Sequence, residues 1–177
     1  MKKKFFAITA LIAILAVLCL CSCSGENEAE EEINPSEYDY DMLDLSFVAD
    51  EVYASLDISE LTAESVEVIT DELVLSEQFY LDLSNIISHE VRSADGKYGL
   101  ADVVILHVKD GKANDVMDSL EMRKDDRINE FLNYDVYDSY DIALEGEIYQ
   151  AGELVVMLLL SEDDKAAAKE IIDYYIP

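Results

Sequence analysis

Residues 101–108 read ADVVILHV, a run that is apolar almost without interruption after Asp102. A short run of this kind predicts a central β-strand with both faces at least partly covered. Upstream, Ile86–Ser93 also favours a strand, and Asp95-Gly96 between the two runs is a strong hairpin signal. The sequence therefore predicts a central hairpin of Ile86–Ser93 with Tyr98–Val108.

Helical patterns lie on either side of this hairpin. Asp44 is suited to cap a first helix, in which apolar residues recur at steps of three and four: Leu45, Val48, Val52 and Leu56. A long amphipathic helix is predicted over residues 112–132. Ser161 is expected to cap a last helix, with Asp164 completing a capping box.

Two more strands are predicted near the C-terminus, over residues 142–150 and 153–160, with a turn at Ala151-Gly152. Residues 57–83 give a mixed signal, partly helical and partly strand-like. The whole order, αββαββα, predicts an α+β domain: a four-stranded, mostly antiparallel sheet with the helices packed on one face.

The N-terminus carries an export signal. Residues 1–22 comprise three lysines, a long apolar stretch and a small residue, which is the order of a signal peptide. Leu20-Cys21-Ser22-Cys23 resembles the lipobox of bacterial lipoproteins, which predicts lipid attachment at Cys23. An uncleaved transmembrane anchor is the alternative, because the apolar stretch approaches the roughly 20 residues that cross a bilayer.

Cleavage before Cys23 would leave three parts with different roles. Residues 1–22 are the signal peptide, 23–42 an acidic disordered tether, and 43–177 a single α+β domain. The tether is rich in acids and has almost no apolar residues before Tyr38, so it cannot bury enough surface to order itself. Cys19 and Cys21 would leave with the signal, so the mature chain would have no free thiol for disulfides or catalysis.

Charge excludes some partners. Without the three lysines at positions 2–4, the chain has nine basic residues against 40 acidic ones, a formal charge of −31. Such a surface repels nucleic acid and anionic lipid headgroups. Solvation of an exported protein explains the acidity, and binding of cations or of a basic partner is the more specific alternative.

Several stretches resemble the DUF4358 family of lipoproteins. They include Phe79–Leu83, Ile105–Asp110, Arg127–Phe131 and Glu153–Leu160 with the alanine-rich helix that follows, in addition to the lipobox and acidic tether. The resemblance spans roughly Leu43 to Tyr175. It implies a small α+β domain outside the membrane of Gram-positive anaerobes, and it implies no known activity.

Both histidines, His89 and His107, fall in the predicted hairpin. If Asp95-Gly96 is a two-residue turn, His89 lies opposite Asp102 and His107 lies opposite Ser84. That register separates the histidines and argues against a shared metal site. A His89–Asp102 pair could orient an imidazole for base catalysis, but no nucleophile of recognisable context accompanies it.

Two other groups attract attention. The loop Asn133–Asp141, followed by Glu145 and Glu147, is either a solvated loop or an aromatic and acidic recognition surface; it lacks the glycine of an EF-hand. Arg123, Lys124 and Arg127 form the densest basic group. They are expected to pair along their helix with acidic neighbours or to contact a phosphate or anionic polymer. The acidic neighbours are Glu121, Asp125, Asp126 and Glu130.

These observations predict a lipid-anchored protein on the outer face of the cell membrane, without enzymatic activity, metal or cofactor. Its partners would be the membrane, through the lipid, and an envelope protein, peptide or glycan. The alternative is a small cell-envelope hydrolase that uses two facing carboxylates. Convergent carboxylates in a pocket would favour the enzyme, and an exposed apolar patch or a flat sheet face would favour the binder.

Overall fold

The computed structural model describes residues 38–176. The predicted signal peptide, Cys23 and the predicted tether up to residue 37 lie outside the described residues. The β-strands are β1 (Val66–Val68), β2 (Ile86–Ala94), β3 (Asp102–Val108), β4 (Glu147–Ala151) and β5 (Leu154–Leu159). The α-helices are α1 (Leu45–Ser55), α2 (Glu60–Glu64), α3 (Glu72–Gln78), α4 (Ala113–Phe131), α5 (Ser139–Leu144) and α6 (Glu162–Tyr175).

The α+β class is confirmed, but the sheet has five strands rather than four. The strand order is β1-β2-β3-β5-β4, and every neighbouring pair is antiparallel. The additional strand, β1, is three residues long and lies in the segment with the mixed signal. Its alternating pattern was visible, but so short a strand gives too few positions to be distinguished from a loop.

Helices cover both faces of the sheet, so the prediction of helices on one face is wrong. Helices α3, α4 and α5 share one hydrophobic core with these sheet residues: Val104, Leu106, Val155, Met157 and Leu159. Helices α1 and α6 share a second hydrophobic core, on the opposite side of the sheet, with these sheet residues: Val103, Ile105, Leu154, Val156 and Leu158. Alternate side chains of a strand face opposite sides, and β3 and β5 are buried at every position, so each side needs its own helical layer.

The central hairpin forms, but its predicted register is wrong. Val91 pairs with Val104, and the strands are joined by residues 95–101 rather than by a two-residue turn. His89 therefore lies opposite Leu106, and His107 lies opposite Ser88. Neither predicted partner, Asp102 or Ser84, is met.

The other boundaries agree in part. Asp44 caps α1 by accepting hydrogen bonds from the N–H groups of Ser46 and Phe47, as expected. Ser161 caps α6 by accepting from Asp164 N–H, and the Asp164 carboxylate reaches back to Ser161 as predicted, although it accepts from the Ser161 hydroxyl, at 2.6 Å, and not from the N–H. The other oxygen of Asp164 accepts from Asp57 N–H. The strand predicted from residue 142 begins later, at Glu147, because residues 139–144 form helix α5.

The packed domain extends back into the segment predicted as tether. The hydroxyl of Tyr38 donates to the carbonyl of Tyr175 at 2.7 Å, and the side chain of Tyr40 is buried in the core under α1 and α6. A short 3-10 turn, Tyr40–Met42, lies between them and α1. Within the described range, none of the helices has the length and apolarity needed to cross a membrane.

Candidate functional site

The two histidines point to opposite faces of the sheet, since each shares a face with its cross-strand partner. His107 is buried, and its Nε2 lies 3.1 Å from Glu153 Oε2 and its Nδ1 lies 3.7 Å from Asp41 Oδ1. Within the described residues its Nδ1 has no hydrogen-bond partner, and its ring packs against Tyr40 with the centroids 5.8 Å apart. His89 has no carboxylate opposite it, so the predicted His89–Asp102 pair is wrong. Across residues 38–176, no three His, Cys, Asp or Glu side chains form a metal-binding group.

The tyrosine- and aspartate-rich loop is largely solvated. Tyr134 and Tyr137 are exposed, whereas Tyr140 packs on the core of α4 and the sheet. Asp135 accepts a hydrogen bond from Tyr140 N–H at 2.9 Å, which holds the first turn of α5. The expectation that tyrosines here cover the edge of the core is met by Tyr140; a recognition surface at this loop stays a prediction.

The two glutamates after this loop are used locally. Glu147 accepts a hydrogen bond from Lys169 at 2.7 Å, and this bond lowers the pKa of the Glu147 carboxyl. The backbone carbonyl of Glu145 accepts from the buried Lys165 ammonium at 2.6 Å. Both residues therefore contribute to the packing of α6.

The basic group on α4 gives the candidate site. Arg127 makes two hydrogen bonds to Asp102, at 3.0 and 3.1 Å, and both side chains are almost fully buried. Its Nη1 also donates to Glu130 at 2.7 Å, the only one of the predicted pairs along this helix that forms within the described residues. Lys124 instead donates to the backbone carbonyl of Gly146.

Asp102 connects three parts of the fold. It opens β3 and is completely buried, and besides Arg127 it accepts a hydrogen bond from Ala94 N–H at 2.9 Å. Arg127 in turn donates to the carbonyl of Ala94 at 2.5 Å. The ion pair therefore ties α4 to both ends of the β2–β3 connection.

The electrostatics of Arg127 follow from these partners. Burial by itself lowers the pKa of the Arg127 guanidinium, but the charge and hydrogen bonds of Asp102, with those of Glu130, outweigh burial and raise it. A buried pair with this geometry is costly to break from one side, at about 3–5 kcal/mol. This pair has a structural role.

Arg123 lies one turn before Arg127 and is not compensated in the same way. Its side chain is 12 % exposed, and its nearest carboxylate oxygen is Asp102 Oδ2, 4.0 Å from Nη2. Within residues 38–176 its guanidinium has one protein acceptor, Ser93 Oγ, 3.4 Å from Nη2, and its Nε is buried without a partner. The guanidinium lies over the ring of Phe79, with Cζ 4.6 Å from the ring centroid.

For the Arg123 guanidinium, the unfavourable effect of burial is therefore larger than the favourable effect of the neighbouring carboxylates. Burial lowers the pKa of its guanidinium, and the neighbouring Arg127 lowers it further, while Asp102 and Glu130 only partly offset these effects. Transfer of an ion out of water costs several kcal/mol unless a partner compensates for it. The contact with Phe79 returns only about 0.5–2 kcal/mol.

A pocket of about 330 Å³ opens beside the two guanidiniums. We call it the arginine pocket. Its lining comes from β1 and β2, the end of α3, and α4: Glu67, Ile69, Gln78, Ser93, Ala94, Asp95, Arg123, Arg127 and Glu130. The Asp102–Arg127 ion pair holds the Arg127 side chain in place at one side of the pocket. The other polar groups come from four elements of the fold.

The sequence predicted that Arg123 and Arg127 pair with acidic neighbours along the helix or contact a phosphate or anionic polymer, and it did not predict their burial. Two signals pointed to burial. The apolar stripe of α4, Val116, Leu120 and Phe131, continues through positions 123 and 127 at steps of three and four. Asp102, a charged residue at the start of a strand covered on both faces, also required a buried partner.

Comparison with known proteins identifies the domain but not its activity. Residues 59–160 match the model of a family described as a domain of unknown function, DUF4358. No curated protein and no solved structure matched the chain. The matched residues include the whole lining of the arginine pocket, and they exclude α1 and α6. With more than half of its length matched, the chain belongs to the DUF4358 family, as its sequence predicted.

Proposed function

We propose that this protein is a non-catalytic binding module on the outer face of the cell membrane, held there by a lipid on Cys23. The signal-like residues 1–22 and the lipobox resemblance support the location. Two lipid chains give stable attachment where a single chain gives only reversible binding. The acidic stretch after Cys23 would then keep the domain at a distance from the membrane.

The observation that supports binding is the arginine pocket. Arg123 is a mostly buried cation with one weak protein acceptor, and it borders a space open to solvent. Sites of this kind orient ligands through a few converging polar groups. A group from a partner that enters the pocket would supply the compensation that the protein itself provides only in part. The three carboxylates that also line this pocket, Glu67, Asp95 and Glu130, are the feature that favours the alternative function, a small cell-envelope hydrolase.

The anchor is tested by Cys23→Ala in a host that processes lipoproteins. We expect the wild-type protein to have the mass of a chain that begins at Cys23 plus a diacylglyceryl group, and to enter the detergent phase. The variant should lack the lipid and stay in the aqueous phase, because no thiol is left to modify. Retention of residues 1–22, with both proteins in the detergent phase, would replace the lipid by an uncleaved anchor.

Binding is tested with four soluble probes of different chemistry: tri-alanine, chitotriose, glucuronate and glycerol 3-phosphate. At least one should raise the melting temperature in a dose-dependent way, since a ligand that binds only the folded state stabilises it by mass action. Arg123→Gln should abolish this shift. Lys112→Gln, which removes a cation from the residue before α4 and outside the pocket, is the matched control. If no probe shifts the wild type, the binding function proposed for this pocket is wrong.

A further inference from the structure

We propose that the arginine pocket is a site for a single carboxylate group, which Arg123 binds. This rests on the proposed binding function and names the chemistry of the ligand. Arg127 already has two carboxylate partners, Asp102 and Glu130, whereas among residues 38–176 no carboxylate lies within hydrogen-bonding distance of Arg123. Arg123 is therefore the residue whose positive charge would bind the ligand carboxylate.

The geometry of Arg123 suits a planar anion. A guanidinium presents its N–H donors as a fork that matches the two oxygens of a carboxylate. The ring of Phe79 packs against this group, with Cζ 4.6 Å from the ring centroid. Its Nε is buried, so a ligand would reach the terminal nitrogens, of which only Nη2 has a protein acceptor within the described residues, at 3.4 Å.

The acids around the pocket disfavour anions that carry more than two terminal oxygens. Glu67, Asp95 and Glu130 all line it. Both oxygens of a carboxylate can face the guanidinium, whereas a phosphate monoester has a third terminal oxygen that would face these acids. A carboxylate is thus favoured over phosphate at the same guanidinium.

The same acids, with Gln78, would interact with the remainder of the ligand. Carboxylates accept hydrogen bonds, and the carboxamide of Gln78 both donates and accepts. A ligand that carries N–H or O–H donors beside its carboxylate fits this lining. The C-terminus of a peptide and a sugar acid both have that chemistry.

The test is a calorimetric titration of the full-length protein at an ionic strength fixed with sodium chloride. The probes are tri-alanine, tri-alanine amide, glucuronate and sodium sulfate. We expect tri-alanine or glucuronate to bind, and the tighter of the two identifies the source of the carboxylate. The amide, which lacks the negative charge, should bind at least tenfold more weakly than tri-alanine if the peptide is the ligand.

Variants locate the site. Arg123→Gln should weaken carboxylate binding at least tenfold, Arg123→Lys should restore part of it because the charge returns without the fork, and Lys112→Gln should change nothing. Unchanged binding by Arg123→Gln would overturn the proposal. Tighter binding of sulfate than of either carboxylate would overturn the carboxylate class but leave the proposed binding function standing, which fails only if the peptide, glycan, glucuronate and phosphate probes all fail.

Discussion

Asp102→Ala is expected to lower the free energy of unfolding by about 3–5 kcal/mol, because it leaves the Arg127 guanidinium buried without its main counter-ion. The Asp102 side chain is fully buried and accepts hydrogen bonds from Arg127 and from Ala94 N–H. The substitution therefore removes a charge partner and a backbone acceptor together. Glu130 remains bonded to Arg127, which should keep the loss from exceeding this range.

The measurement is urea unfolding of wild type and variant at neutral pH. Asp115→Ala is the matched control, since its pair with Lys112 is exposed and should contribute only about 0.2–1 kcal/mol. A double replacement, Asp102→Leu with Arg127→Met, should recover most of the lost stability, because a buried pair exchanged for apolar residues is often neutral. A loss below about 1 kcal/mol for Asp102→Ala, the size of an ordinary hydrogen bond, would contradict the role assigned to this pair.

Phe79→Ala is expected to cost about 3–5 kcal/mol, the usual range for deletion of a buried aromatic ring. The Phe79 side chain is 1 % exposed and belongs to the core formed by α3, α4, α5 and the sheet. Its ring also supports the Arg123 guanidinium. The loss of stability therefore has two causes: a cavity in the core, and a buried Arg123 guanidinium that no longer contacts an aromatic ring.

Phe79→Leu separates these two effects. It keeps most of the apolar volume and should cost less stability than Phe79→Ala. It should still weaken carboxylate binding, because the Arg123 guanidinium loses its contact with the aromatic ring. Phe47→Ala, at an aromatic ring that is half exposed on α1, is the control for stability. Equal losses for the Phe47 and Phe79 variants, or full carboxylate affinity in Phe79→Leu, would contradict this interpretation of Phe79.

The sequence predicted the elements that local pattern determines. The apolar run of β3 and the helical stripe of α1 are repeated signals that a few exceptions do not obscure, and both form where predicted. The lengths of connections are determined less locally. Asp95-Gly96 is a strong turn signal, but here it opens a longer loop, because Asp102 accepts from Ala94 N–H and the loop closes over α4.

Gly96 shows why that loop needs its glycine for a tertiary reason as well as a local one. Its φ is +79°, and a Cβ placed there would lie 2.7 Å from Glu130 Oε1 and 3.2 Å from the ring of Phe131. The requirement therefore comes from Glu130 and Phe131, at the end of α4 and more than 30 residues later in the chain. A rule that predicts hairpins from neighbouring residues therefore cannot predict this contact.

The arginine pocket was missed for a similar reason. Helix α4 offers Arg123 and Arg127 acidic neighbours three or four residues away, and such pairs are as compatible with a solvent-exposed face as with a buried one. The choice depends on Asp102, which the chain places on β3, and on Phe79, at the end of α3. Only the packing of these elements shows that one guanidinium is fully compensated and the other is not.

Arg123 carries a positive charge that the described residues compensate only in part, and we propose that a carboxylate from a ligand completes the compensation. The most direct test is the nitrogen-15 spectrum of the arginine Nε–H groups, with signals assigned by substitution and followed as tri-alanine or glucuronate is added. We predict that the Arg123 signal shifts in a saturable way with at least one of these carboxylates, that the Arg127 signal moves much less, and that tri-alanine amide has little effect. An Arg123 signal that stays unchanged at saturating concentrations of both carboxylates would contradict the claim.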